Sequence, residues 1–256
     1  MYKVRTAEDW KKHFELPLEY KVEGFMSYGA WGVEEQFRIF EKITEDMRPD
    51  VEIKRLSGFL ANILEVRLEE KIYWFTVSYG GVQLSEHLHL ACLLGSKRNI
   101  HLGSCGGLYT EASSIDWIIP TYSYGNESVS RTYERESKDN KHYPNNNLSE
   151  TIKSKIPENK KYFEGPIVTC MAMMGETLED VQNWAKEGYY GVEMETSTVF
   201  SISKHFNVPA ASLLYISDNL IKGQIAGDES HLLQKSARDE MKKHLYRIGT
   251  EVLLGI

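Results

Sequence analysis

The 256-residue sequence has no run of about 18 apolar residues, which excludes a membrane-spanning helix of ordinary length. Its opening, Met1-Tyr2-Lys3-Val4-Arg5-Thr6-Ala7-Glu8-Asp9-Trp10, lacks the apolar stretch of a signal peptide, so a cytoplasmic location is expected. Cysteine is scarce. Cys92, Cys105 and Cys170 lie in apolar or glycine-rich segments, show no C-x-x-C spacing and read as reduced thiols. Positive charge is in deficit, with 30 Lys and Arg against 37 Asp and Glu and a formal net charge of -7. A nucleic-acid or anionic-membrane surface is therefore not expected, and any affinity for phosphate must be local. His87 and His89 stand two residues apart on an expected helix and point to different faces, so no metal site is indicated. No internal repeat is visible.

A hydrophobic content of 41% over this length suits one large α/β domain spanning residues 1–256. Short apolar runs alternate with helical periodicity, the pattern of a central mixed sheet flanked by helices. Expected strands are 24–29, 72–79 (closed by Gly80-Gly81), 99–107, 114–122, 166–173 and 208–216. Helical spacing is read over 32–43, 84–94, 178–186 (capped by Glu176 or Thr177), 196–206 and a long closing helix at 230–254. Between about 123 and 161 the sequence turns polar, as an exposed excursion with some helix near 148–155.

Two acidic segments carry the chemistry. Gly191-Val192-Glu193-Met194-Glu195-Thr196 places carboxylates and a thioether at the mouth of a helix, and Ser217-Asp218-Asn219 ends an apolar run. Ligands of open α/β sheets bind at such carboxyl ends. Singly, a carboxylate there caps a helix or meets solvent more often than it catalyses. Joined to a third segment, His101-Leu102-Gly103-Ser104-Cys105-Gly106-Gly107-Leu108, the pattern resembles the nucleoside phosphorylase family, which includes purine nucleoside phosphorylase, uridine phosphorylase and the nucleosidases.

That resemblance implies a nucleoside phosphorylase-like fold and cleavage of an N-glycosidic bond, with a nucleoside or nucleotide, purine-like by its Asp218, as the small-molecule partner. Breaking such a bond builds positive charge on the sugar and negative charge on the base, and the implied roles follow that split. Glu195 would grip ribose hydroxyls as an ionised acceptor, with Met194 beneath the sugar. Asp218, partly desolvated, would be the acid that protonates the leaving base. His13 falls where relatives lend a histidine across a subunit interface to the sugar, which implies a homo-oligomer, a dimer or a trimer of dimers. Met173 and Asn219 are the candidates for base contact, although Asn219 is equally a turn former. Arg238 or His231 stands near the position of an arginine that supports the acid.

On the acceptor side the resemblance points to Gly29, Ser104 and, from a neighbouring subunit, Arg55. Here the chain departs from the phosphorylases. His101 replaces an arginine, and the first turn reads Gly29-Ala30-Trp31-Gly32-Val33 where phosphorylases have Gly-Asp-Pro-x-Arg. Losing two charge-assisted contacts of about 1.5–3 kcal/mol each weakens phosphate binding, so hydrolysis is slightly favoured and phosphorolysis is the alternative. No cofactor is expected, with inorganic phosphate as a candidate co-substrate. A catalytically degenerate nucleoside-binding or storage protein is the reading from another class.

Overall fold

The computed structural model describes residues 4–256, apart from the side chain of Ser230. The apolar runs become the strands β1 (Val22–Gly29), β2 (Glu52–Arg55), β3 (Ile63–Leu68), β4 (Lys71–Ser78), β5 (Asn99–Gly107), β6 (Trp117–Asn126), β7 (Lys141–His142), β8 (Tyr162–Cys170), β9 (Gly191–Glu193) and β10 (Ala210–Asn219). They form one mixed sheet in the order β10-β6-β8-β9-β5-β1-β4-β3-β2, with β7 against β6. β10 also pairs with β5, so β10, β6, β8, β9 and β5 close into a ring, and the remaining strands extend from β5 as an open sheet. Parallel pairing of β1 with β4 and β5, and of β5 with β10, brings several carboxyl ends to one edge.

The helices are α1 (Ala7–His13), α2 (Val33–Met47), α3 (Gly81–Leu93), α4 (Val129–Tyr133), α5 (Asn146–Lys153), α6 (Leu178–Lys186), α7 (Thr196–His205), α8 (Glu229–Leu233) and α9 (Lys235–Leu254). Tyr28 of β1 stacks on Tyr246 of α9 with centroids 4.8 Å apart, and the Tyr246 hydroxyl donates to Gln36 of α2 at 3.0 Å. The same core holds Phe40 and Phe75, stacked at 4.0 Å. α3 and α7 cover the other face with Leu84, Leu88, Val199 and Phe200. This two-sided cover explains why central strands such as β4 read as nearly continuous apolar runs.

The structure adds detail at three places. The long closing helix is two helices, because Gln234 (φ -92°, ψ 8°) ends α8 and precedes α9, while Asp228 caps α8 through the His231 amide. The polar stretch after residue 123 continues β6 to Asn126 and then supplies α4, β7 and α5. Its inner residues Ser130, His142 and Ile152 are buried, so the stretch is tied to the body of the fold. β2 and β3 form antiparallel pairings that the sequence reading left out, and their charged alternation explains the omission. Of the two caps offered for α6, Thr177 fills the position. Its hydroxyl accepts from the Asp180 amide at 3.1 Å, and the Asp180 carboxylate accepts from the Thr177 amide at 2.9 Å.

Candidate active site

The Glu-Met-Glu segment is positioned by a strand of three residues. β9 pairs antiparallel with Gly106 and Gly107 of β5 and parallel with β8, and the chain then turns directly into α7. Glu193 anchors that turn. One of its oxygens accepts the amides of Glu195 and Thr196 at 2.8 Å each, and the other accepts the Thr169 hydroxyl at 2.5 Å. These contacts occupy the free N–H groups at the start of α7, where a negative charge also meets the helix dipole favourably.

Glu195 is thereby aimed inward at the ends of β1 and β4. The Gly80 amide donates to its Oε1 at 2.6 Å, and its Oε2 lies where a Cβ on Gly29 would come within 2.6 Å. Gly29 is needed there for close approach, and Gly80 for its φ of +89°. Burial, followed by the charge of Glu193, pushes the Glu195 pKa well above the ordinary carboxylate range.

At the end of β10, Asp218 is 6% exposed and accepts a hydrogen bond from the Ser217 hydroxyl. Burial raises its pKa, opposed by that hydrogen bond and by the nearby His231 and Arg238. These two side chains are joined to each other. The Arg238 guanidinium donates to the His231 carbonyl, and its Nη2 is 3.2 Å from His231 Nδ1.

Glu195 and Asp218 open into one cavity of about 490 Å³, of ordinary size for a small-molecule site. Met194, Met173, Gly29, Ser104, His231 and Arg238 line it as well. Four other expected site residues do not. Asn219 is fully buried, and its amide donates to the carbonyls of Tyr109 (3.1 Å) and Ala112 (2.9 Å), so it locks a loop and has no donor left for a base. His13 ends α1 with its ring against Trp10 and Phe14, and Arg55 is bound to Glu34 at 2.6 Å; neither reaches the cavity within its own chain. His101 lies behind the cavity wall with no exposed surface.

Several lining residues belong to no motif of the sequence. Trp31 and Tyr79, both exposed residues, meet with ring centroids 5.2 Å apart, and Glu176 accepts from the Cys170 thiol at 3.0 Å. The cavity's lysines and arginine, Lys235, Arg238 and Lys242, come from α9. Their spacing of three and four residues marks one helix face, a signal present in the sequence that no motif singled out. The Cys105 thiol is buried, with its pKa pushed far up, which excludes it as a ready nucleophile.

A mixed sheet that brings two buried carboxylates and two thioethers to the lining of one cavity fits an α/β enzyme of the nucleoside phosphorylase type. The chain belongs to the phosphorylase superfamily, whose family model matches residues 66–254. It is similar to a guanosine phosphorylase of Halorubrum lacusprofundi, at 26% identity over 59% of this chain and 62% of that relative's length. It is also similar to a DeoD-type purine nucleoside phosphorylase of Caldanaerobacter subterraneus, at 25% identity over 80% of this chain and 86% of the relative. Among solved structures, uridine phosphorylase from Vibrio fischeri superposes with a TM-score of 0.75 at 18% identity, covering 93% of this chain and 95% of that one. That last likeness is one of fold. Each of these relatives is named a phosphorylase.

Proposed function

We propose that the protein cleaves the N-glycosidic bond of a purine nucleoside or nucleotide, with phosphate as the acceptor, releasing free base and ribose 1-phosphate. The observation that carries this reading is the sharing of one cavity by Glu195 and Asp218, each buried and each held by a named donor. Glu195 accepts hydrogen bonds from the ribose hydroxyls and stabilises the oxocarbenium-like sugar, while Met194 covers its apolar face. Asp218, its pKa raised by burial, donates to the purine ring as the bond breaks, and the His231 and Arg238 beside it stabilise the carboxylate left behind. Met173 covers the base. Ser104 and the Gly29 turn face the acceptor.

Water as acceptor is the second reading, favoured by one observation. His101 and the Glu195 carboxylate lie against the Gly29 turn where the resemblance implies arginines, and the cations of the cavity, Lys235, Arg238 and Lys242, come instead from α9. A homo-oligomer, dimer or trimer of dimers, would let His13 and Arg55 of one chain complete the site of another. The three buried free thiols support a cytoplasmic location. No helix among the described residues is long and apolar enough to cross a membrane.

The test is release of free base from a panel of nucleosides and nucleotides, with and without phosphate. Ribose 1-phosphate formed only with phosphate supports phosphorolysis, and free ribose or ribose 5-phosphate without it supports hydrolysis. If no panel member yields base while nucleosides still bind, the degenerate binding protein is the correct reading.

A further inference from the structure

We propose that His101, Glu193 and Glu195 form a binding site for a divalent transition-metal ion of the zinc or manganese class, bordering the cavity that holds the nucleoside. These residues are 0%, 6% and 5% exposed, and one ligand atom from each lies within 4.8 Å of the others. His101 Nε2 is 3.6 Å from Glu193 Oε2 and 4.0 Å from Glu195 Oε2. Those distances are too long for hydrogen bonds. They are close to the separation of about 3.3–3.6 Å between ligands that a tetrahedral ion with bonds of about 2.0–2.2 Å imposes.

The independent observation is the imidazole. His101 Nε2 is fully buried and has no hydrogen-bond partner among the described residues, although it points at two carboxylates. A buried ring nitrogen left unpaired is costly, and here a cation would pair it. The far side of the ring is already fixed, because Nδ1 is 3.0 Å from the Ser27 hydroxyl, the kind of outer contact that orients a metal-binding histidine. Glu193 is held by the Thr169 hydroxyl on Oε1 and by two amides on Oε2, the oxygen nearer His101, and Glu195 by the Gly80 amide, which leaves its Oε2 turned toward His101.

Charge leads to the same conclusion. Two carboxylates lie two residues apart at the wall of one cavity, and among the described residues neither has a lysine or arginine within ion-pair distance. Both carboxylates are buried and hydrogen-bonded but have no cationic partner, and a divalent ion would supply one. One imidazole and two carboxylates suit zinc or manganese, while the hard set that calcium or magnesium prefers would contain oxygen alone. Glu193 and Glu195 line the cavity, which gives an ion its way in. An ion there would put positive charge on the acceptor side, where Val33 and His101 stand in place of arginines. That consequence rests on the proposed glycosidic cleavage, whereas the binding itself does not.

The test is equilibrium dialysis of the tag-free protein against Zn²⁺ and against Mn²⁺, without nucleoside or phosphate, with bound metal quantified per chain. One ion per chain is expected for at least one of the two metals. His101→Ala is expected to weaken binding by more than the roughly 10–100-fold typical of losing an outer contact, and Ser27→Ala to weaken it within that range. Circular dichroism of the metal-free variants checks the fold, and if His101→Ala does not fold, Glu193→Gln with Ser27→Ala takes its place. Absence of stoichiometric binding up to millimolar metal, or binding that these variants leave unchanged, overturns the proposal. Base release without metal binding would leave the proposed function standing and remove only this site.

Discussion

The Gly80 amide donates to Glu195 Oε1 at 2.6 Å, joining the turn after β4 to the start of α7 across 115 positions of sequence. One carboxylate oxygen is thus fixed by backbone, and the other lies against Gly29 and His101. The candidate ribose grip is therefore preorganised by the Gly80 turn, the end of β1 and strand β5, and each can be perturbed separately.

Gly29→Ala tests the closest of these approaches. An added Cβ would come within 2.6 Å of Glu195 Oε2, so the carboxylate must swing away or the turn must shift. We expect a loss of kcat/KM of at least about 10-fold, since a misplacement on the order of 1 Å costs up to 10²-fold. Steady-state kinetics beside a thermal melt checks it; unchanged kcat/KM would show that Glu195 does not hold the sugar.

Glu195→Gln should lower kcat and raise KM together, because the residue is assigned to ribose in both ground and transition states. A fall in kcat/KM on the order of 10²-fold is expected, from the cost of one charge-assisted stabiliser. An effect on kcat alone would instead move Glu195 to the bond-breaking step.

Asp218→Asn removes the proton donor and should reduce kcat by about 10²–10⁴-fold with little change in nucleoside affinity. A substrate whose base leaves readily without a proton should recover much of the loss. Equal losses on both kinds of substrate would speak against Asp218 as the acid.

The same substitution makes a stability prediction of definite sign. Burial raises the Asp218 pKa in the folded chain, so between the ordinary aspartate value and the raised one the folded state holds more proton than the unfolded state. Stability then falls as pH rises through that window, and the penalty is fully present above it. Asp218→Asn is expected to melt higher than the wild-type protein at neutral pH, with the two converging below the ordinary aspartate pKa. Melting curves across pH check it; a variant less stable at neutral pH would contradict the burial argument.

Asn219→Ala should act on the fold. Its side chain satisfies two loop carbonyls and accepts from the Lys222 amide at 3.3 Å, all in a fully buried position. A destabilisation of about 1–3 kcal/mol is expected from the groups left unpaired. Denaturant unfolding measures it. A change in base selectivity without loss of stability would restore Asn219 to base contact.

The legibility of this molecule differs by element. The strands that became β1, β4, β5 and β10, and the helices α2, α3, α6 and α7, were readable because apolar period and glycine turns are local properties. β2 and β3 were not, since β2 is short and exposed and Glu65 and Arg67 interrupt the apolar run of the buried β3. The break at Gln234 was hidden because α8 and α9 share one continuous helical composition.

Sequence alone determined that acids stand at a helix mouth and at a strand end, and that arginines are missing at positions 33 and 101. Both are facts of residue type and local order. Only the tertiary structure decided what those residues meet: Asn219 turned into the protein, Arg238 and His231 joined beside Asp218, and His101 facing Glu193 and Glu195. The physical reason is that β9 is three residues long and carries almost no local signal, yet its pairing with β5 and β8 brings the Glu-Met-Glu segment against a histidine some ninety positions away.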